Sequence, residues 1–277
     1  MASQEEESFQ NFFTESLTLG LVKLLEETPG VQGVEMTRYN PCDRMVLTSW
    51  EQRYSCSLPN DLKNFYFASD GFKLIWNYEY AGEVLPIGNM KINKVSELRR
   101  VGGFKPQEDA DVLTPLDIEM CQQQKLNSRH PVPNIGSKCK LFELDGCQGL
   151  GKVCLVYQQP PPRKDLMPGD PALTEQPTIW LLDRCFDWHF IADDFTTYFR
   201  MMLVHKGLPQ WQFKFTPIGL TPWAEQFFAL LAPHLLQSGT QDLPNNWDAT
   251  CNLLDPAIFK IKSKQPKTEL KQQGVAN

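Results

Sequence analysis

The chain has 277 residues, enough for one large domain or two small ones, and its 42% hydrophobic content is ordinary for a globular protein. Its formal net charge of −6 argues against broad nucleic-acid binding, which needs a basic surface that neutralises phosphates. The acidic first residues lack the pattern of a signal peptide, and no apolar run has the length of a membrane span, so the eight cysteines are expected to be reduced thiols.

Three helices are predicted in the first quarter of the chain. Apolar residues at 9–25 recur at helical spacing, and a second helix contains Trp50. A third begins at Pro59, because proline fits the first helical turn, and Asp61 places a negative charge near its exposed N–H groups. The Asp–Gly pair at 70–71 ends this helix, since glycine readily adopts the left-handed conformation. Its apolar residues share one face: Leu62, Phe65 and Tyr66.

Strands dominate the middle of the chain. Short apolar pieces at 84–95 predict strand and turn, and two further strands are predicted at 140–144 and 153–157. Residues 178–182 and 188–192 predict a hairpin. Because these strands follow one another through short turns, the pattern indicates an α+β fold with a mainly antiparallel sheet flanked by helices.

Three stretches have the composition of irregular structure. Residues 102–133 mix charge, glutamine and proline, which predicts an irregular insertion with a short helix at 118–124. Residues 158–177 contain three consecutive prolines and predict a loop. The final stretch, 260–277, is rich in lysine and glutamine with few apolar residues, and we predict a disordered basic tail.

The C-terminal third predicts two helices with an aromatic connection between them. Asp193 or Asp194 caps the first helix, and Gly207 stops it. Thr221, followed by proline and an early glutamate, begins the second helix, which has an apolar surface over 227–235. Between the helices, alternating aromatic residues predict a strand or extended arm: Trp211, Phe213 and Phe215.

Two blocks of sequence carry a resemblance. The Trp–Glu pair at 50–51, the stretch LPNDLKNFY at 58–66 and the Asp–Gly pair at 70–71 resemble the entry motif of the SUKH superfamily. The stretch WHFIADDFTTYF at 188–199 resembles its closing strand and final helix. The resemblance implies a SUKH-like domain over residues 1–207. Residues 208–259 then form a C-terminal helical extension, which packs on the domain or on a partner.

The order and spacing of both blocks resemble in particular a eukaryotic family of complex subunits. That resemblance implies a non-catalytic subunit of an assembly that adds glutamate side chains to tubulin tails. The subunit would support the assembly or targeting of a tubulin tyrosine ligase-like catalytic partner. Contact with tubulin itself could be direct or only through the other subunits. The implied location is the cytoplasm and the microtubule-organising regions of the cytoskeleton, including the centrosome. Two alternatives stay open: a free-standing SUKH-type binding module in cytoplasmic signalling, and an enzyme in its own right.

Candidate chemistry in the sequence favours structural interpretations. Residues 146–152 have the spacing of a phosphate-binding loop, but Val153 replaces the magnesium-binding hydroxyl, and a strand follows where a helix is needed. Cys185 and His189 lie four apart and fit a hairpin turn as well as a thiol nucleophile with its base. There is no C-x-x-C pair, and the four histidines are scattered. We therefore predict no catalytic, cofactor or metal site.

The apolar C-terminal residues are the remaining functional candidates. They could dock a partner chain, or the helix that carries them could simply pack on the sheet. The candidate partner-binding residues are Trp211, Phe213, Trp223, Phe227, Phe228 and Leu231.

Overall fold

A computed structural model of the chain describes residues 17–37, 39–102, 139–158 and 176–236. Two antiparallel sheets and six helices in these residues confirm the predicted α+β class. The helices are α1 (Leu21–Glu26), α2 (Arg44–Tyr54), α3 (Asn60–Ala68), α4 (Phe195–Val204), α5 (Pro222–Leu231) and α6 (Pro233–Leu236). The strands are β1 (Val31–Thr37), β2 (Phe72–Tyr80), β3 (Glu83–Ile92), β4 (Lys140–Asp145), β5 (Gly151–Tyr157), β6 (Thr178–Asp183) and β7 (Trp188–Ala192).

The strands form two meanders where the sequence suggested one sheet. The first sheet has the order β1-β2-β3 and the second has the order β4-β5-β6-β7. In the first sheet Trp76 lies opposite Gly88, next to a bulge. In the second, the predicted hairpin is present, with Leu182 opposite Trp188. The β2–β3, β4–β5 and β6–β7 connections are short, as in antiparallel hairpins, whereas α2 and α3 lie between β1 and β2, and residues 158–177 connect β5 to β6.

The chain that leaves β3 joins the two sheets. Asn93 N–H donates to the carbonyl of Leu144 in β4 at 2.8 Å. Farther along, Val101 N–H donates to Leu141 O at 2.9 Å, and Arg100 forms a bridge with Phe142. The residues after β3 therefore line the edge of β4, which otherwise would expose unpaired backbone groups.

One main core lies between the sheets and the helices. Aromatic residues from α3 and α4 meet there: the ring of Phe65 lies 4.9 Å from that of Phe195 and 5.5 Å from that of Phe199. Tyr66 donates its hydroxyl hydrogen to Asn93 O at 2.9 Å, so the buried phenol is satisfied. Burial of each such side chain contributes about 1.5–3 kcal/mol, which makes this aromatic contact a main source of stability.

The helix starts follow the local sequence signals. The Asp194 carboxylate accepts from Thr197 N–H at 2.7 Å, which settles the predicted cap of α4. Thr221 caps α5 by accepting from Ala224 N–H, with proline at the next position as predicted. Asp61 does more than expected. Besides its place in the first turn of α3, its Oδ2 accepts from both the N–H and the hydroxyl of Thr196, so it holds the start of α4 as well.

Three sequence predictions differ from the structure. The helix predicted over 9–25 does not run through Gly20, because Leu19 and Gly20 both have positive φ and α1 begins only at Leu21. Ser69, in extended conformation, ends α3, and Gly71 with φ 107° turns the chain two residues later. The strand or arm predicted for 211–215 is wrong.

That stretch, Trp211–Phe215, is a 3₁₀ helix that follows a left-handed residue at Gln210. The proline-rich loop and the disordered tail lie outside the described residues, as does nearly all of the insertion predicted over 102–133.

Candidate functional site

The six candidate partner-binding residues do not form one exposed surface. Most of them lie in the main core: Trp211, Phe227, Phe228 and Leu231. Phe213 is partly buried against the same core. Only Trp223 is open to solvent, with 50% of its surface exposed. The contact of these residues with a partner stays a prediction, and most of their side chains serve to hold the C-terminal region on the sheets.

Helix α5 packs on the first sheet through one side. The Phe227 ring meets the Tyr78 ring of β2 edge to face, with centroids 6.4 Å apart. Trp223 in turn packs edge to face on Phe227, at 5.1 Å. Because aromatic pairs in this geometry are favourable beyond their buried area, the Phe227–Tyr78 pair holds α5 on the sheet, whereas the Trp223–Phe227 pair lies within the helix.

Lys206 connects three parts of the molecule. Its carbonyl accepts from the indole N–H of Trp76 in β2 at 2.9 Å, and its ammonium donates to the last carbonyl of α5, Leu231 O, at 2.8 Å. A cation at that end of a helix also meets the negative end of its dipole. Partial burial of this contact lowers the pKa of the Lys206 ammonium.

Gly207 allows this connection because it approaches β3 very closely. Its φ is 62°, and a Cβ added there would lie 2.5 Å from Met90 Cγ and 2.9 Å from the carbonyl carbon of Asn89. In return, Gly207 O accepts from Asn89 N–H at 2.9 Å. The predicted stop of α4 at Gly207 therefore also joins α4 to the edge of the first sheet.

His205 is enclosed by aromatic rings at the end of α4. It stacks on Trp211 at 5.3 Å and meets Phe215 and Phe228 edge to face. Its Nδ1 lies 2.7 Å from Met201 O, whereas its buried Nε2 has no hydrogen-bond partner among the described residues. Burial lowers the pKa of His205 from its ordinary 6.5 to about 4, so the ring is neutral near pH 7.

The outer side of α5 is apolar and open. Trp223 and Leu230 lie seven positions apart, which places them on the same side of the helix two turns from each other, and both are about half exposed. Gln226 and Ala229 on this side are also exposed and carry no charge. We refer to Trp223, Gln226, Ala229 and Leu230 as the α5 outer face.

The region with phosphate-loop spacing is a turn between strands. Gln148 has left-handed φ and ψ inside the short 3₁₀ turn Cys147–Gly149, and β5 begins at Gly151. The lysine of the pattern, Lys152, pairs with Glu143 on the neighbouring strand at 2.6 Å. This geometry differs from a phosphate loop, which presents backbone N–H groups at the start of a helix.

A shallow depression lies beside that turn. Its cavity volume is only about 20 Å³, and its lining includes Asp145, Gln148, Gln210 and Gln212. Burial raises the pKa of the Asp145 carboxyl to about 6, although Cys147 N–H donates to it at 3.1 Å. A hydrogen bond to the backbone two residues on is typical of an aspartate that shapes a turn.

The pair Cys185 and His189 belongs to a hairpin organised by Asp183, a residue that is not among the sequence-predicted candidates. Asp183 Oδ1 accepts from the N–H groups of Cys185 and Asp187, both at 2.8 Å, and its Oδ2 lies 3.0 Å from His189 Nε2. An aspartate that opens a turn and bonds two residues ahead is a recognisable signal in the sequence. The contacts observed for His189 therefore serve the turn.

The described residues contain neither a metal-binding cluster nor a helix that could span a membrane. No group of three or more histidine, cysteine or acidic side chains there could hold a metal ion. None of the helices in that part of the chain has the length and apolar character needed to cross a membrane.

Comparisons with known proteins give closely similar relatives. The chain is 38% identical over 251 residues to the human protein named tubulin polyglutamylase complex subunit 2, covering 90% of this chain and 80% of the relative. The rat and mouse proteins of the same name are each 38% identical over 253 residues, covering 90% of this chain and 81% of the relative. No family model and no solved structure matches the chain.

Proposed function

The chain belongs to the family of tubulin polyglutamylase complex subunit 2, and on that basis we propose that it is a non-catalytic subunit that supports assembly or targeting of the complex's ligase. The ligase would be a tubulin tyrosine ligase-like subunit that adds glutamate side chains to tubulin tails. The observation that carries the proposal is 38% identity over 90% of the chain. A match of 251 residues is longer than the predicted domain of residues 1–207, so it reaches into the C-terminal region.

The contacts of the candidate reactive groups support an accessory role. Lys152 is paired with Glu143, and His189 is paired with Asp183 in a hairpin. Asp194 caps α4. Each of these groups has a structural partner that accounts for its position, so the residues that most resembled chemistry in the sequence are explained by the fold.

The α5 outer face is the surface that we propose for partner contact. Helix α5 is held on its inner side by Phe227 and at its end by Lys206, so the outer face is presented on a fixed support. An exposed tryptophan is a frequent energetic centre of protein interfaces. Of the residues predicted for partner binding, Trp223 is the one with the exposure that such a contact requires.

Purification of the tagged full-length chain from cells tests membership and role together. We expect a stable multi-subunit particle that contains a ligase-like subunit and transfers glutamate to tubulin with ATP. The purified chain alone should be inactive in the same assay. Activity of the chain alone would refute the accessory role. A monomer with one transient partner would favour the free-standing binding module.

Surface variants test the proposed interface separately from membership. The double variant Trp223→Ala, Leu230→Ser should lose the other subunits during purification while its melting temperature stays close to that of the unaltered chain. The matched control is Met45→Ala, Val46→Ser, which changes two exposed apolar residues on α2. This control variant should retain the other subunits. Equal recovery with both variants would exclude the α5 outer face and leave membership intact.

The proposed location is the cytoplasm, at microtubule-organising regions that include the centrosome. Imaging of the tagged chain together with a centrosomal marker tests this. A diffuse signal that never coincides with the marker would refute it.

A further inference from the structure

The second sheet is apolar on both faces. Its inner face belongs to the main core, through residues such as Leu155 and Leu181. Its outer face forms a separate buried cluster, with members on all four strands or at their ends. The outer cluster consists of Val101, Cys139, Leu141, Cys154, Val156, Trp180, Leu182 and Trp188, with Phe190 packed against it. An antiparallel sheet more often has one face in contact with water, so the second apolar face needs an explanation.

The outer cluster is shielded from water within the single chain. Cys154 at its centre is 0% exposed, and Trp180 is 3% exposed. The described helices do not account for this shielding, because their buried apolar side chains belong to the main core. The indole N–H of Trp188 is also buried, with no hydrogen-bond partner in the described part of the chain. An additional covering segment would account for this burial.

Residues 103–138 leave and rejoin the fold at this cluster. Val101 and Cys139, which flank the segment, are both members of the outer cluster. The two ends are also tied together, since Arg100 Nη2 donates to Cys139 O at 3.3 Å and Val101 N–H donates to Leu141 O at 2.9 Å. A segment anchored at both ends beside a surface has a high effective concentration at that surface.

The segment contains the side chains that such a face requires. Ten consecutive residues, 112–121, include Val112, Leu113, Leu116, Ile118, Met120 and Cys121. Ten residue-to-residue steps lead from Gly102 to Val112 and reach up to about 33 Å, whereas four strands span about 15 Å. Two other segments fit this face less well. Residues 159–175 hold five prolines and fewer large apolar side chains. Residues 237–277 follow Leu236, which packs on the main core and not on the outer cluster.

We propose that residues 112–121 of this chain dock on the outer face of the second sheet and bury its apolar cluster. This face is then an intramolecular docking surface. The proposal is independent of the function assigned above, because it concerns contacts within one chain.

Pulsed labelling of thiols with N-ethylmaleimide, resolved by peptide mapping, tests the proposal. In the full-length double variant Leu116→Asp, Ile118→Asp, the labelling rate of Cys154 should rise roughly ten-fold or more, because the charged segment cannot stay on an apolar face. Cys147 is buried in the main core and serves as the internal control, with an unchanged rate expected. The matched control variant Asp117→Asn should leave both rates unchanged. An unchanged rate at Cys154 in the double variant would overturn the proposal.

A second measurement leaves the sequence of residues 112–121 unaltered, so it does not depend on how the double variant folds. A photo-crosslinking amino acid replaces Trp180, and the crosslinked peptides are identified by mass spectrometry. A crosslink to residues within 112–121 supports the proposal. Crosslinks to residues 159–175, to residues 237–277, to a second copy or to another protein would overturn it.

Discussion

Gly88 lies opposite Trp76 in the β2–β3 pair, and its lack of a side chain makes room for the indole ring. A Cβ at position 88 would lie 1.8 Å from Trp76 Nε1 and 2.1 Å from both Cδ1 and Cε2. Real contacts of this kind do not occur, so Gly88→Ala forces the indole to move. The same indole N–H donates to Lys206 O, and its displacement breaks the contact that joins β2 to the end of α4.

The expected cost follows from two effects at this position. Overpacking of a tight core site costs about 1–3 kcal/mol, and a buried donor left without its acceptor costs about 1–3 kcal/mol. Together they predict that Gly88→Ala lowers the free energy of unfolding by about 2–6 kcal/mol. Since whole domains are stable by about 5–15 kcal/mol, this is a large fraction of the total.

Urea unfolding followed by far-ultraviolet circular dichroism measures this loss. Gly146→Ala is the matched control, because Gly146 has φ −84° and its added Cβ would meet only Glu143 Oε1, at 3.2 Å. The control should change stability by less than about 1 kcal/mol. Adding Trp76→Leu to Gly88→Ala should cost at least about 1 kcal/mol less than the sum of the single variants, because the clash is gone. Additive effects, or a Gly88→Ala variant as stable as the unaltered chain, would refute the reasoning.

Three further predictions concern single side chains. The pKa of His205 lies near 4 when folded against 6.5 when unfolded, so the unfolded state binds more protons between these values. Stability should therefore be highest above pH 6.5 and fall by up to about 3 kcal/mol as the pH drops to 4, and urea titrations should show a shallower fall for His205→Phe. Asp194→Ala removes the cap on Thr197 N–H and should cost about 1 kcal/mol in thermal unfolding. Asp183→Ala should speed amide hydrogen exchange of the β6–β7 hairpin. Exchange rates equal to those of the unaltered chain would show that the contact of Asp183 with His189 is dispensable.

Local signals in the sequence were sufficient for the capped helix starts and the later hairpin. A cap such as Thr221 satisfies N–H groups within a few residues, so the information needed to place it is local. The strand Phe72–Tyr80 also shows an alternation of apolar and polar residues that is typical of a strand, although it is not among the strands predicted above. The 3₁₀ helix at Trp211–Phe215 was not readable in this way. Its aromatic residues are spaced as in a strand. Their burial depends on His205, at the end of α4, and on Phe228, in α5, and both residues lie outside this stretch.

The sequence by itself determined the α+β class, the helix that begins after the Asp193–Asp194 pair and the helix begun by Thr221, because these depend on spacing and on bonds between near neighbours. Only the tertiary structure decided which apolar residues are available to a partner. Phe228 and Trp223 look alike in a helical pattern, yet one is in the core and the other is half exposed. The difference arises because Lys206 and its neighbours hold α5 against the first sheet in one orientation, through contacts between residues far apart in the chain.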